Sequence, residues 1–99
     1  MNERTISFHG AAEAELNEAA GYYELESTGL GRAYLEDVGL AVDQISRFPE
    51  AAPLLLGRVR RKILLKFPYA VIYSLRETQI RILAIAHLKR RPYYWRVRR

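Results

Sequence analysis

The feature that most constrains this chain is a change of hydrophobic period at Gly57. Before it, apolar residues recur at helical spacing. After it, they run in short β-branched and aromatic segments bounded by turn residues. A helix buries one stripe and a sheet one face, so helices from the first half must cover strands from the second. Within Ala11 to Glu26, Leu16, Ala19, Ala20 and Tyr23 fall at i, i+3, i+4 and i+7. A second helix is expected from about Arg32 to Phe48. There Tyr34, Val38, Ala41, Ile45 and Phe48 are spaced 4, 3, 4 and 3, and Leu35 and Val42 widen the stripe. Between the helices, Ser27 to Gly31 reads as a turn whose Gly29 and Gly31 permit positive φ. So short a link predicts an antiparallel helical hairpin. Pro49 ends it, and Pro53 lies in the loop beyond.

Thr5 to Phe8 alternates polar and apolar and reads as a strand, broken by His9-Gly10. Three further strands are expected at Val59–Leu65, Ala70–Leu75 and Ile80–His87, interrupted at Phe67-Pro68 and Arg76–Gln79. Links this short make an antiparallel meander. The expected order is β-α-α-β-β-β. That is an α+β domain, an antiparallel sheet with a two-helix hairpin packed on one face. The tail from Leu88 to Arg99 is expected as a fifth strand or a short helix, Pro92 excluding a long one. At 99 residues the chain supports one domain, 1–99.

Charge divides at the same place. Up to Gly57 there are ten acids and three bases, a balance of −7. From Arg58 onward there are one acid, Glu77, and thirteen bases, a balance of +12. A polyanionic partner, nucleic acid or an acidic protein, is the expectation. Without cysteine, disulfides and a cysteine-based zinc site are excluded. No apolar run follows Met1 and none is long enough to span a bilayer. A cytoplasmic protein with no membrane association is expected.

Three clusters carry candidate chemistry. In Arg58-Val59-Arg60-Arg61-Lys62, strand alternation places Arg60 and Lys62 on one face and Arg61 with Ile63 on the other. One pair of bases should then lie on the open face, where guanidinium groups hold phosphates or carboxylates. A solvated sheet face is the competing reading. The second candidate, His87, ends a strand that should carry Arg81, Leu83 and Ile85 on its own face and Ile80, Ile82, Ala84 and Ala86 on the other. It suits a general base for a ribose hydroxyl, or a structural hydrogen bond. In the tail, Lys89, Arg90, Arg91, Arg96 and Arg98 interleave with Tyr93, Tyr94 and Trp95. That pattern suits stacking on bases, protein docking, or packing of some rings beneath the sheet. The acids Glu13, Glu15, Glu18 and Glu24 read as a solvated helix face. No metal cluster, phosphate loop or cofactor motif is readable.

The ordered set of segments resembles the RelE/ParE superfamily of toxins. It comprises Ala12 to Leu16, Ala20 to Glu24, Gly29-Leu30-Gly31, Ile45 to Pro49, Arg60-Arg61-Lys62, Phe67-Pro68-Tyr69, Ile72-Tyr73, Ile82 to His87 and Arg90 to Trp95. The resemblance implies the toxin of a type II toxin–antitoxin pair, silenced by a cognate antitoxin. It also implies one of two activities, cleavage of ribosome-bound messenger RNA or a block of DNA gyrase. The nuclease branch carries an arginine directly after the middle strand's aromatic, whereas Ala70 follows Tyr69 here. This departure sets the chain closer to the ParE-like, gyrase-directed branch. For a nuclease, the implied catalytic set is Arg61, Lys62, Arg81, His87, Lys89, Arg90, Tyr93 and Tyr94. Arg58, Arg60, Arg91, Trp95, Arg96 and Arg98 are the expected contacts to target or antitoxin. No cofactor is expected.

Overall fold

A computed structural model describes residues 4–99. Its elements are β1 (Thr5–Phe8), α1 (Gly10–Glu26), α2 (Leu30–Arg47), β2 (Leu54–Leu56), β3 (Val59–Ile63), β4 (Tyr69–Leu75) and β5 (Gln79–His87). The expected order holds, with β2 added as a three-residue strand at the sheet's outer margin. In space the strands run β1-β5-β4-β3-β2. The β3-β4-β5 meander is antiparallel as expected, while β1 joins parallel to β5. That mixed edge was beyond the reach of strand periodicity, which carries no direction.

The helical hairpin covers one sheet face. Tyr34, Val38, Ala41 and Ile45 of α2 and Ala12 and Ala19 of α1 meet Val71, Tyr73, Ile80, Ile82 and Ile85. Each fully buried isoleucine contributes about 1.5–3 kcal/mol of apolar burial. Leu16, Ala20 and Tyr23 pack beside this core, so both helical stripes are where their spacing put them. Leu35, expected to widen the stripe, is exposed, and Phe48 is the second exception. It caps α2 with φ −135°, leaving the helical path, and is exposed.

Local polar groups set the helix ends. His9 caps α1, its Nδ1 accepting the Ala11 N–H at 3.0 Å. Gly29 takes φ 90° at the head of α2, as the turn required. Gly31 serves differently from expectation: it is buried, and an added Cβ would lie 2.5 Å from the Ala20 carbonyl oxygen. It permits close approach of the helices, not positive φ. Glu24 is not simply solvated either. Its carboxylate accepts the N–H groups of Gly29 and Gly31 and stands in for the missing cap of α2.

One irregularity re-aims β5. The register slips between Ile72↔Ala84 and Tyr73↔Ile82, leaving Leu83 as an extra residue. Ile85 therefore joins Ile80 and Ile82 under the helices, while Leu83, Ala84 and Ala86 turn to the far face with Ala70 and Ile72. The strict alternation expected for this strand fails because a bulge shifts every later side chain by one.

Candidate functional site

The far face is not open, because the tail closes over it. From Leu88 onward the chain forms neither strand nor helix but successive turns. Pro92 offers no N–H, and Tyr93 adopts the left-handed region at φ 61°, which breaks both alternatives. Turn hydrogen bonds then run from the Arg96 N–H to the Tyr93 carbonyl (3.0 Å) and from the Arg98 N–H to that of Trp95 (2.9 Å). Trp95, 4 % exposed, packs onto Ala70, Ile72, Leu83, Ala84 and Ala86. It is the ring that packs beneath the sheet, so its role is to anchor the tail.

A carboxylate from the other layer fastens this tail. Glu15 accepts the Tyr94 hydroxyl at 2.8 Å and both Arg98 Nη1 and Nη2 at 3.0 Å, a bidentate pair. Its Oε1 also accepts the Ile85 N–H at 3.0 Å, just past the bulge. Arg98 Nη1 reaches the Leu83 carbonyl as well. The Arg90 guanidinium lies 3.8 Å above the Tyr94 ring and 3.9 Å from Glu15. Burial, then its hydrogen bond to Glu15, pushes the Tyr94 hydroxyl well above its ordinary value; Arg98 is raised by its own hydrogen bonds to the same carboxylate. Glu15, expected on the solvated helix face, has a side chain only 15 % exposed. The signal was legible: it sits three residues after Ala12 and four before Ala19, an acid beside the apolar stripe.

Between tail and sheet lies a groove of about 170 Å³, floored by Ala70, Ile72, Ala86 and Trp95 and rimmed by Arg61, His87, Arg90, Arg91, Tyr93 and Tyr94. Five of the eight residues named for a nuclease thus converge: Arg61, His87, Arg90, Tyr93 and Tyr94. The other three do not line it. Lys62 faces a second groove of about 460 Å³ under the end of α2, with Ile45, Phe48, Ile63 and Tyr73. Arg81 clasps Ser7 Oγ and the Phe8 carbonyl through Nη1 and the Arg99 carbonyl through Nε and Nη2. Lys89 is exposed, and its backbone N–H donates to His87 Nδ1 at 3.0 Å.

The remaining predicted contacts are scattered. Arg60 donates to the carbonyls of Glu50 (2.9 Å) and Ala52 (2.7 Å), and so braces the loop after α2. Tyr73 Oη braces the same loop at Pro49, 2.6 Å away. Arg58 and Arg96 are exposed. Asp37, overlooked in the sequence, is buried and accepts the N–H groups of Lys66 and Phe67 at 2.9 and 3.1 Å, fixing the β3–β4 link.

Chemically, the groove is better equipped to hold an anion than to move a proton. Arg61, Arg90 and Arg91 offer guanidinium donors. His87 Nδ1 is already an acceptor, held by the Lys89 N–H at 3.0 Å. The ring lies edge-on to Tyr69, 5.0 Å away. Tyr94 holds its proton against Glu15. Among the described residues, no three His, Cys, Asp or Glu side chains gather as a metal site requires. No helix there is long and apolar enough to cross a membrane.

A small α+β domain with a basic groove built by a folded-back tail is the class this architecture defines. A family model described as the ParE toxin of the type II toxin–antitoxin system parDE matches residues 6–92. The chain belongs to that ParE toxin family. Among solved structures it is similar to a chain of the chromosomal ParDE toxin–antitoxin system from P. aeruginosa, at 19% identity and a TM-score of 0.64. The similarity covers 86% of this chain and 96% of that one. No curated protein matches in sequence.

Proposed function

We propose that this toxin arrests growth by binding DNA gyrase and that a cognate antitoxin protein neutralises it. One observation carries the reading: the groove gathers three guanidinium groups, while its one imidazole already spends Nδ1 on the Lys89 N–H. Cleavage of RNA without a metal needs proton transfer at two oxygens as well as charge stabilisation. The residue after Tyr69 supports the same side. Ala70 is buried beneath Trp95, where an arginine would have to displace the ring. The balance of +12 beyond Gly57 suits an acidic partner chain and explains why an antitoxin would compete for an overlapping surface.

The test is a supercoiling assay in which purified toxin is titrated into gyrase. Inhibition that the antitoxin relieves is the expected result, and full supercoiling at large toxin excess refutes the proposal. The convergence of Arg61, His87, Arg90, Tyr93 and Tyr94 favours the competing endoribonuclease reading. Mapped cuts in ribosome-bound messages, with gyrase unaffected, would establish that reading instead.

A further inference from the structure

We propose that Glu15 is a positioning residue for the toxin's inhibitory surface: its carboxylate, reaching from α1 around the edge of β5, holds the tail in the shape that forms the groove. This rests on the reading of the groove as the target-binding surface. Four hydrogen bonds from three separate groups end on this one carboxylate, those of Ile85, Tyr94 and Arg98. It is the one acid hydrogen-bonded to the tail among the described residues, and the tail has none of its own.

The consequence passes to the groove through Tyr94. Its ring is stacked by Arg90 at 3.8 Å on the cation–π geometry, with Arg98 5.0 Å from the same centroid. Fixing the Tyr94 hydroxyl therefore fixes Arg90, which rims the groove together with Arg61. Released from Glu15, two arginines and a tyrosine regain their rotamer freedom, and a partner must order them again on binding. The helix–sheet core is built from apolar contacts of α1 and α2 with β4 and β5, and Glu15 adds to it a single bond, to the Ile85 N–H. Its loss should free the tail and leave the fold.

The single tryptophan makes this measurable, since Trp95 is buried only while the tail is down. Glu15→Gln keeps the size and removes the charge. Hydrogen bonds to a charged group are the strong ones, so inhibitory potency should fall about tenfold. Quenching of Trp95 by acrylamide should rise, and trypsin should cut at Arg96 and Arg98 sooner, while far-ultraviolet circular dichroism stays native. Tyr94→Phe, which removes one of the four bonds, should fall between. Should Glu15→Gln fail to fold, Tyr94→Phe and Arg98→Lys carry the same comparison. A folded Glu15→Gln protein with wild-type potency, or with Trp95 still shielded, overturns the proposal. So does a loss of potency that follows the unfolded fraction alone. If the wild-type chain itself leaves gyrase untouched, the target reading fails, and the quenching comparison still decides what Glu15 does to the tail.

Discussion

Substituting alanine for glycine at three helical positions should give opposite signs, and the difference comes from backbone geometry alone. At Gly31 the new Cβ would stand 2.5 Å from the Ala20 carbonyl oxygen and 3.1 Å from both Cβ and Oε1 of Glu24. The nearest atom is backbone in the facing helix, so no rotamer change relieves it. Either α1 and α2 part, or Glu24 gives up its hold on the Gly29 and Gly31 N–H groups. Overpacking costs about 1–3 kcal/mol, and a lost cap about 1 kcal/mol. Against these, alanine gains about 1 kcal/mol of helix propensity. Gly31→Ala should therefore destabilise by about 2 kcal/mol. For a domain of this size that lowers Tm by about 10 °C. At Gly21 and Gly39, in the same two helices, an added Cβ meets nothing within 4 Å. There only the propensity gain remains, and Tm should rise by a few degrees. Differential scanning calorimetry of the three variants reads the contrast directly. Gly31→Ala at wild-type Tm, or Gly21→Ala melting as early as Gly31→Ala, would refute the claim that close helix approach sets the residue.

Two further outcomes follow from buried polar groups. Burial raises the hydroxyls of Tyr34, Tyr69 and Tyr94, Tyr69 up to about 12. Groups raised on folding stabilise fully below their unfolded value of about 10 and lose that contribution as pH rises past it. The urea midpoint should hold from pH 7 to 9 and drop between about pH 10 and 12; an unchanged midpoint across that window would contradict it. Asp37→Ala leaves the Lys66 and Phe67 N–H groups without their carboxylate and should cost about 3 kcal/mol in urea unfolding. A loss below about 0.5 kcal/mol, the range of an ordinary surface change, would show that the β3–β4 link needs no such anchor.

The two helical stripes and the three-strand meander were legible because each obeys one period throughout, set by the core it faces. What escaped reading depends on meetings between distant segments. The bulge at Leu83 is invisible in Ile80 to His87, where every residue but Arg81 and His87 is apolar and either face accepts it. The parallel join of β1 to β5 likewise depends on where the hairpin returns the chain. For the site, composition located the basic tail and grouped five residues that do share a groove. It left Lys62, Arg81 and Lys89 with them, although alternation sets Lys62 on the face opposite Arg61; for Arg81 alternation gives the face but not the place along β5, and Lys89 lies in the tail beyond any strand. For Glu15 the helical spacing shows an acid beside the apolar stripe, but not its partners, which lie about seventy to eighty-three residues away in the chain.

Where β1 stops at Phe8, β5 runs on to His87 paired only with β4, its other margin uncovered by any strand. The His9 N–H makes the last bond along that margin, to Ile82. Just beyond, Glu15 takes the Ile85 N–H and Arg98 takes the Leu83 carbonyl. An acceptor and a donor, joined to each other as an ion pair, thus occupy the groups that a neighbouring strand would use. The pair is a single rung of imitation β-sheet made from side chains. Bare strand margins invite other chains to add themselves, and copies of one toxin offer identical margins to one another. By filling that rung, the ion pair that ties down the tail also leaves the Ile85 N–H and the Leu83 carbonyl with nothing to offer an added strand.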